Sequence, residues 1–210
     1  MERALRQTPW AARGEFTAME GRVWSDFNRE IHVIPPREIP AEWPRYESID
    51  PGTRNPCAIL RAALDPADDT LYLVGEYYER ERSATQHAAA IHAMREGTPE
   101  PEFTVCDPED KGFRYTLAEQ GIPTRQARKE VRMGISAVAD RLRLDANGRP
   151  HVVIFSTLRN TIREVEGYCW APSIGKADAK EAPLKRDDHL CDALRYLCVA
   201  LKRDAEMGAS

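Results

Sequence analysis

Three strand-like segments follow one another between residues 46 and 78 with no room for a helix between them. They are Tyr46–Asp50 (YESID), Cys57–Leu64 (CAILRAAL) and Thr70–Tyr78 (TLYLVGEYY), split by the turns PGT and DPADD. Connections this short join antiparallel neighbours, so the three make a meander. The pattern then alternates. Ser83 opens an Ala-rich helix to Arg95, Phe103–Cys106 (FTVC) is a brief buried strand, and a short helix lies near Tyr115–Gln120. A longer helix runs from about Arg128 to Arg143 on the apolar positions Val131, Ile135, Val138 and Leu142. His151–Phe155 (HVVIF) is a fifth strand, and Thr157–Glu166 a further helix. A strand reached through a helical crossover lies parallel to its partner, so strands four and five should run parallel to strand one. The expectation is an α/β fold: a central five-stranded mixed sheet, three strands antiparallel and two parallel, flanked by helices.

Ahead of the meander, residues 1–42 carry scattered aromatics (Trp10, Phe16, Trp24, Phe27) and close on the proline-rich PPREIPAEWP. This reads as an arm or linker docking on a domain that spans 43–205. At 210 residues the chain suits one domain with a sizeable core, and 42% hydrophobic with 30% charged residues is the balance of a water-soluble protein. No apolar run approaches the roughly 20 residues of a membrane span, and the N-terminus lacks the apolar core of a signal peptide, so no membrane partner and a cytoplasmic location are expected. Five scattered cysteines without a CxxC pair read as reduced, buried thiols. The formal net charge of -4 does not exclude nucleic acid, because acids gathered on a metal lower the total while basic residues elsewhere grip phosphates.

Chemistry concentrates where strands end and the last helix begins. Asp50 and Asp107 each follow a short apolar strand and precede a proline, in SIDPGT and VCDPED. Asp-Pro is a common turn opener. If strand four lies beside strand one, however, the two carboxylates share one edge of the sheet. The segment KRDDHLCDALRY then opens a helix with leucines at 190, 194, 197 and 201, and places Asp188 and Asp192 one turn apart, away from that stripe. Asp188 is at the helix start, where an N-cap is the expected role and metal contact the alternative. Asp192 is too far in to cap. Crowded carboxylates need a cation, or one of them takes up a proton. A hard divalent ion such as Mg²⁺ or Mn²⁺ suits all-oxygen ligation, and two ions about 3.5 to 4 Å apart suit phosphodiester cleavage.

The succession SIDPG, LYLVGEYYE, VCDPEDKG, GISAVADRL, LRNTIREVEGYCW and DDHLCDALRY resembles the C-terminal nuclease domain of the large terminase subunit of tailed bacteriophages, an RNase H-like fold. The similarity covers about residues 15 to 203, and the closing D-x-x-D-A-L-R-Y pattern is its most specific part. The resemblance implies that Asp50, Asp107 and Asp192 bind two metal ions and that His189 assists them. It implies a metal-dependent endonuclease that cuts concatemeric double-stranded DNA to start and end genome packaging in the host cell cytoplasm. It also implies partners: an ATPase domain in the same full-length chain, the small terminase subunit, and the portal of the procapsid. A G-x-x-x-x-G-K-[ST] loop is absent from the sequence, so the chain is expected to be a segment of a longer protein.

Candidates for DNA phosphate contact are Arg128, Lys129, Arg132, Lys180, Lys185 and Arg186. Glu76 on strand three is read as solvated, with an accessory carboxylate as the alternative; Glu109 and Asp110 as site neighbours or first-turn acids; His87 and His92 as structural. Two rival functions are a resolvase or transposase of the same fold, disfavoured by Asp rather than Glu on the last helix, and a non-catalytic DNA clamp or portal-docking module.

Overall fold

The computed structural model describes residues 21–171 and 182–208. In chain order the elements are α1 (Arg29–His32), β1 (Val33–Ile34), β2 (Arg45–Asp50), β3 (Cys57–Asp65), β4 (Thr70–Glu79), α2 (Ala84–Arg95), β5 (Phe103–Cys106), α3 (Lys111–Glu119), β6 (Arg125–Gln126), α4 (Val131–Leu142), β7 (Val152–Phe155), α5 (Arg159–Gly167) and α6 (His189–Gly208). The strands form one sheet in the order β1-β7-β4-β3-β2-β5-β6.

The meander is β2–β3–β4, antiparallel throughout. Strand β5 joins the free side of β2 in parallel, and β7 joins β4 in parallel. The sheet has seven strands rather than five, because the two-residue strands β1 and β6 extend its edges, pairing in parallel with β7 and β5. Two residues cannot show alternation, so no periodicity announces them.

The sheet and its core begin before residue 43. Trp24 and Phe27 are buried, and Val33 and Ile34 pair with Ile154 and Phe155. The prolines after Ile34 carry the chain from this edge towards the interior strand β2, and their missing N–H groups keep that stretch out of the ladder.

Helices cover both faces. Along β2 the side chains alternate: Ile49 packs with Ala88 and Ile91 of α2 and Phe113 and Leu117 of α3, while Ser48 points the other way and donates to the Ala193 carbonyl of α6 at 2.6 Å. The second face holds the larger core, in which Leu190, Leu194, Leu197 and Leu201 of α6 meet Ala58, Leu60 and Ala62 of β3 and Val138 and Leu142 of α4. Helix α2 starts as its sequence dictates, with Ser83 and Gln86 forming a reciprocal capping box. Asp110 caps α3 by accepting from Phe113 N–H at 2.8 Å, so that helix begins four residues before Tyr115. On the α2 side Glu47 is fully buried, yet Arg61 and Arg95 reach it at 3.1 and 2.5 Å, so its charge is matched.

Candidate metal centre

Strands β2 and β5 pair so that Ile49 lies opposite Cys106, and the Asp107 N–H donates to the Ile49 carbonyl at 3.2 Å. Asp50 and Asp107 therefore leave the sheet side by side at the same edge. Helix α6 brings its first turn to that edge. Ser48 ties it to β2, its leucines bury it, and Glu164 of α5 accepts from Leu190 N–H at 2.6 Å. Asp187, in the left-handed region at φ 46°, turns the chain into the helix, and the Asp188 carbonyl accepts from Asp192 N–H.

Five aspartates line one cleft of about 500 Å³; Asp187 is exposed, and the other four are each less than a tenth exposed: Asp50 9%, Asp107 7%, Asp188 5% and Asp192 8%. Burial raises the Asp50 carboxyl above its ordinary range; the His189 hydrogen bond opposes this, and the charges of Asp192 and Asp107 add to it. His189 Nδ1 lies 2.9 Å from Asp50 Oδ2, and this bond raises the imidazole. Asp107 is held by Glu109 N–H on Oδ1 at 2.8 Å and by the Tyr196 hydroxyl on Oδ2 at 3.1 Å. Burial drives the Tyr196 phenol upward, so it stays a donor. Asp192 Oδ1 accepts from the buried Arg195 guanidinium.

Lysines complete the neutralisation. Lys129 Nζ contacts Asp107 Oδ2 at 2.8 Å and Glu109 at 2.7 Å. Lys185 Nζ lies 3.0 Å from both Asp188 Oδ2 and Asp192 Oδ2. The Asp188 contact is one of charge alone, since that oxygen makes no hydrogen bond of acceptable angle. Among the described residues no three His, Cys, Asp or Glu side chains are drawn together as the ligand set of one ion.

Of the residues singled out in the sequence, Asp50, Asp107, Asp188, His189, Asp192, Lys129, Lys185 and Arg186 all line this cleft. Arg128 and Arg132 are exposed on the segment beside it, and Lys180 lies outside the described residues. Asp188 does not cap α6 with its side chain, which faces Lys185; the Leu190 N–H that a cap would take is held by Glu164. Glu76 is half-buried rather than solvated, and it is not among the residues lining the cleft. It accepts from the N–H groups of Asn160 and Thr161 at 2.9 and 2.7 Å and so caps α5 from the sheet. His87 and His92 are structural, bonded to the Tyr77 hydroxyl and the Gln120 carbonyl.

Sequence reasoning passed over Tyr196 and Glu164 and offered Arg195 only as a solvated partner, whereas it is buried. Spacing carried a signal for Tyr196 and Arg195, which stand four and three residues after Asp192 on one helix. Glu164 had none, because its partner is 26 residues away. Gly134 of α4 is another dependence: a Cβ there would sit 2.8 Å from Arg195 Cβ, so only glycine lets α4 pass so close.

The sequence pattern of the family described as Terminase RNaseH-like domain matches residues 47–201. The chain is 28% identical over 199 residues to the large terminase subunit of Escherichia phage T5, covering 90% of this chain and 44% of that protein; it thus spans less than half the length of this relative. Among solved structures, the large terminase of a thermophilic bacteriophage superposes with a TM-score of 0.75 at 25% identity, over 86% of this chain and 44% of that one. The nuclease domain of the large terminase of bacteriophage SPP1, solved with bound Mn, shares the fold at a TM-score of 0.59 and 17% identity, over 83% of this chain and 96% of that one. The matched residues run from β2 to α6 and include all five cleft aspartates, and the chain accordingly belongs to the terminase RNase H-like nuclease domain family.

Proposed function

We propose that the chain is the nuclease of a phage DNA-packaging motor, a divalent-metal-dependent endonuclease that cuts concatemeric double-stranded DNA at the start and end of packaging. The observation that carries this reading is the convergence of Asp50, Asp107 and Asp192, all but buried, on one cleft at the sheet edge. The donor set fits a hard cation: carboxylate oxygens, with cationic side chains already drawn to them. The Mn in the SPP1 nuclease domain supports the same class of ion.

Asp50, Asp107 and Asp192 would hold Mg²⁺ or Mn²⁺, two ions, with Asp188 as a further carboxylate beside Lys185. Such ions supply an activated water and stabilisation of the departing 3′ oxygen in phosphodiester hydrolysis. The chain's own groups set up the rest. Asp50, on a strand inside the sheet, would be one of the carboxylates that hold the ions. His189 fixes the Asp50 carboxylate by its Nδ1 contact, Tyr196 and the Glu109 N–H orient that of Asp107, and Arg195 orients Asp192. Lys129, Lys185 and Arg186 on the cleft and Arg128 and Arg132 beside it offer charge to DNA phosphates. In the full packaging machine the partners are an ATPase domain in the same polypeptide, the small terminase subunit and the portal of the procapsid.

The test is plasmid cleavage by the 210-residue chain. Nicking and linearisation with Mn²⁺ or Mg²⁺, abolished by EDTA and without marked sequence preference, is the expected result. DNA binding without any cleavage would make the chain a clamp, and strong preference for branched over plain duplex would make it a resolvase.

A further inference from the structure

The acids of the cleft are held by two kinds of cation. Arg195 is fixed: it is 2% exposed, pressed against Gly134 and bonded to Asp192. Lys129 and Lys185 differ. Their side chains are 36% and 63% exposed, while the aspartates they touch are about a tenth exposed; Glu109, which Lys129 also meets, is 80% exposed. A flexible ammonium can swing its charge into water without unfolding anything, whereas the buried aspartates cannot leave. Each lysine also arrives from outside the helices, Lys129 just before α4 and Lys185 just before α6.

The oxygens they take are those a metal needs. Lys129 reaches Asp107 Oδ2 at 2.8 Å, and Lys185 sits between Asp188 Oδ2 and Asp192 Oδ2 at 3.0 Å from each. We infer that Lys129 and Lys185 are exchangeable counter-cations of the acid cluster: they neutralise Asp107 and the Asp188–Asp192 pair in the metal-free protein and compete with divalent ions for the same oxygens. They thereby set the metal affinity of the site below what its carboxylates alone would give. Both ammonium groups hold their protons more tightly than usual: burial opposes the charge, but hydrogen bonds and attraction from Asp107 and Glu109 on Lys129, and from Asp192 together with the charge of Asp188 on Lys185, outweigh it. This inference rests on the reading that the acids bind divalent ions.

Free Mn²⁺ measured by electron spin resonance during titration of the whole chain tests it independently of cleavage. Removing one lysine as Lys129→Met or Lys185→Met should tighten Mn²⁺ binding several-fold, to about tenfold, the size of one partly exposed ion pair, and the double variant should exceed either. Arg80→Gln is the control. Arg80 lines the same cleft but forms no ion pair with the four buried aspartates among the described residues, so its loss should change affinity by less than about twofold through screened long-range charge alone. In EDTA the lysine variants should melt below the wild type, and saturating Mn²⁺ should raise their melting temperature by more than it raises that of the wild type. Unchanged or weaker Mn²⁺ binding in the lysine variants, or an equal gain from Arg80→Gln, would overturn the inference. Failure of every protein, wild type included, to bind Mn²⁺ would instead remove the metal-site reading beneath it.

Discussion

Asp107 shows how one side chain is prepared for its work. Its two oxygens face three donors, the Glu109 N–H, the Tyr196 hydroxyl and the Lys129 ammonium. Only the lysine is mobile enough to leave. Tyr196 therefore acts as a positioning residue, and Tyr196→Phe should cost about 1 kcal/mol of stability, as the loss of one buried hydrogen bond does, while weakening Mn²⁺ binding several-fold. Urea unfolding and Mn²⁺ titration of the same variant check both; unchanged metal binding would leave the hydroxyl with packing alone. Asp107 itself was readable as an acid at a strand end. Its holder Tyr196 was not, because a hydrogen bond between residues 89 positions apart leaves no trace in local spacing.

At the scale of elements the same divide recurs. The Ser83 cap on α2 is local and was legible; the Asp110 cap on α3 is equally local, yet Asp110 was read only as a site neighbour or first-turn acid. The caps of α5 and α6 come from Glu76 on β4 and Glu164 on α5, each reaching a helix distant in sequence. Glu164 is 2% exposed and burial raises its carboxyl, so it lies beneath the site as a largely shielded acceptor. Glu164→Ala should destabilise the fold by about 1–3 kcal/mol, because the Leu190 N–H loses its buried partner. Glu164→Gln, which keeps an amide oxygen there, should cost less than half as much, and urea unfolding of the two variants separates capping from charge. Equal losses would mean that packing, not the acceptor, holds the start of α6.

Over the whole molecule, the order of three antiparallel strands followed by alternating helices and strands allows a sheet in which β5 lies beside β2, and that adjacency brings Asp50 and Asp107 together. The connectivity was legible because turn lengths and crossover handedness leave few arrangements. The edge strands and the true start of the core were not, since β1 and β6 are two residues each and the buried Trp24 and Phe27 precede a proline run that resembles a linker. Helix α6 then crosses this edge and adds Asp188, His189 and Asp192, so that fold and chemistry meet at one line of the sheet.

The most direct test of the central claim is Mn²⁺-dependent plasmid cleavage by Asp50→Asn, Asp107→Asn and Asp192→Asn, with melting temperature measured on the same samples. An amide fills nearly the volume of the carboxylate but gives up its charge, and removing one of several crowded like charges does not weaken the fold. Each variant should therefore lose cleavage by orders of magnitude across all Mn²⁺ concentrations while melting within a few degrees of the wild type or above it. Wild-type cleavage by any one of the three would contradict its place in the metal centre, and wild-type cleavage by all three would contradict the account.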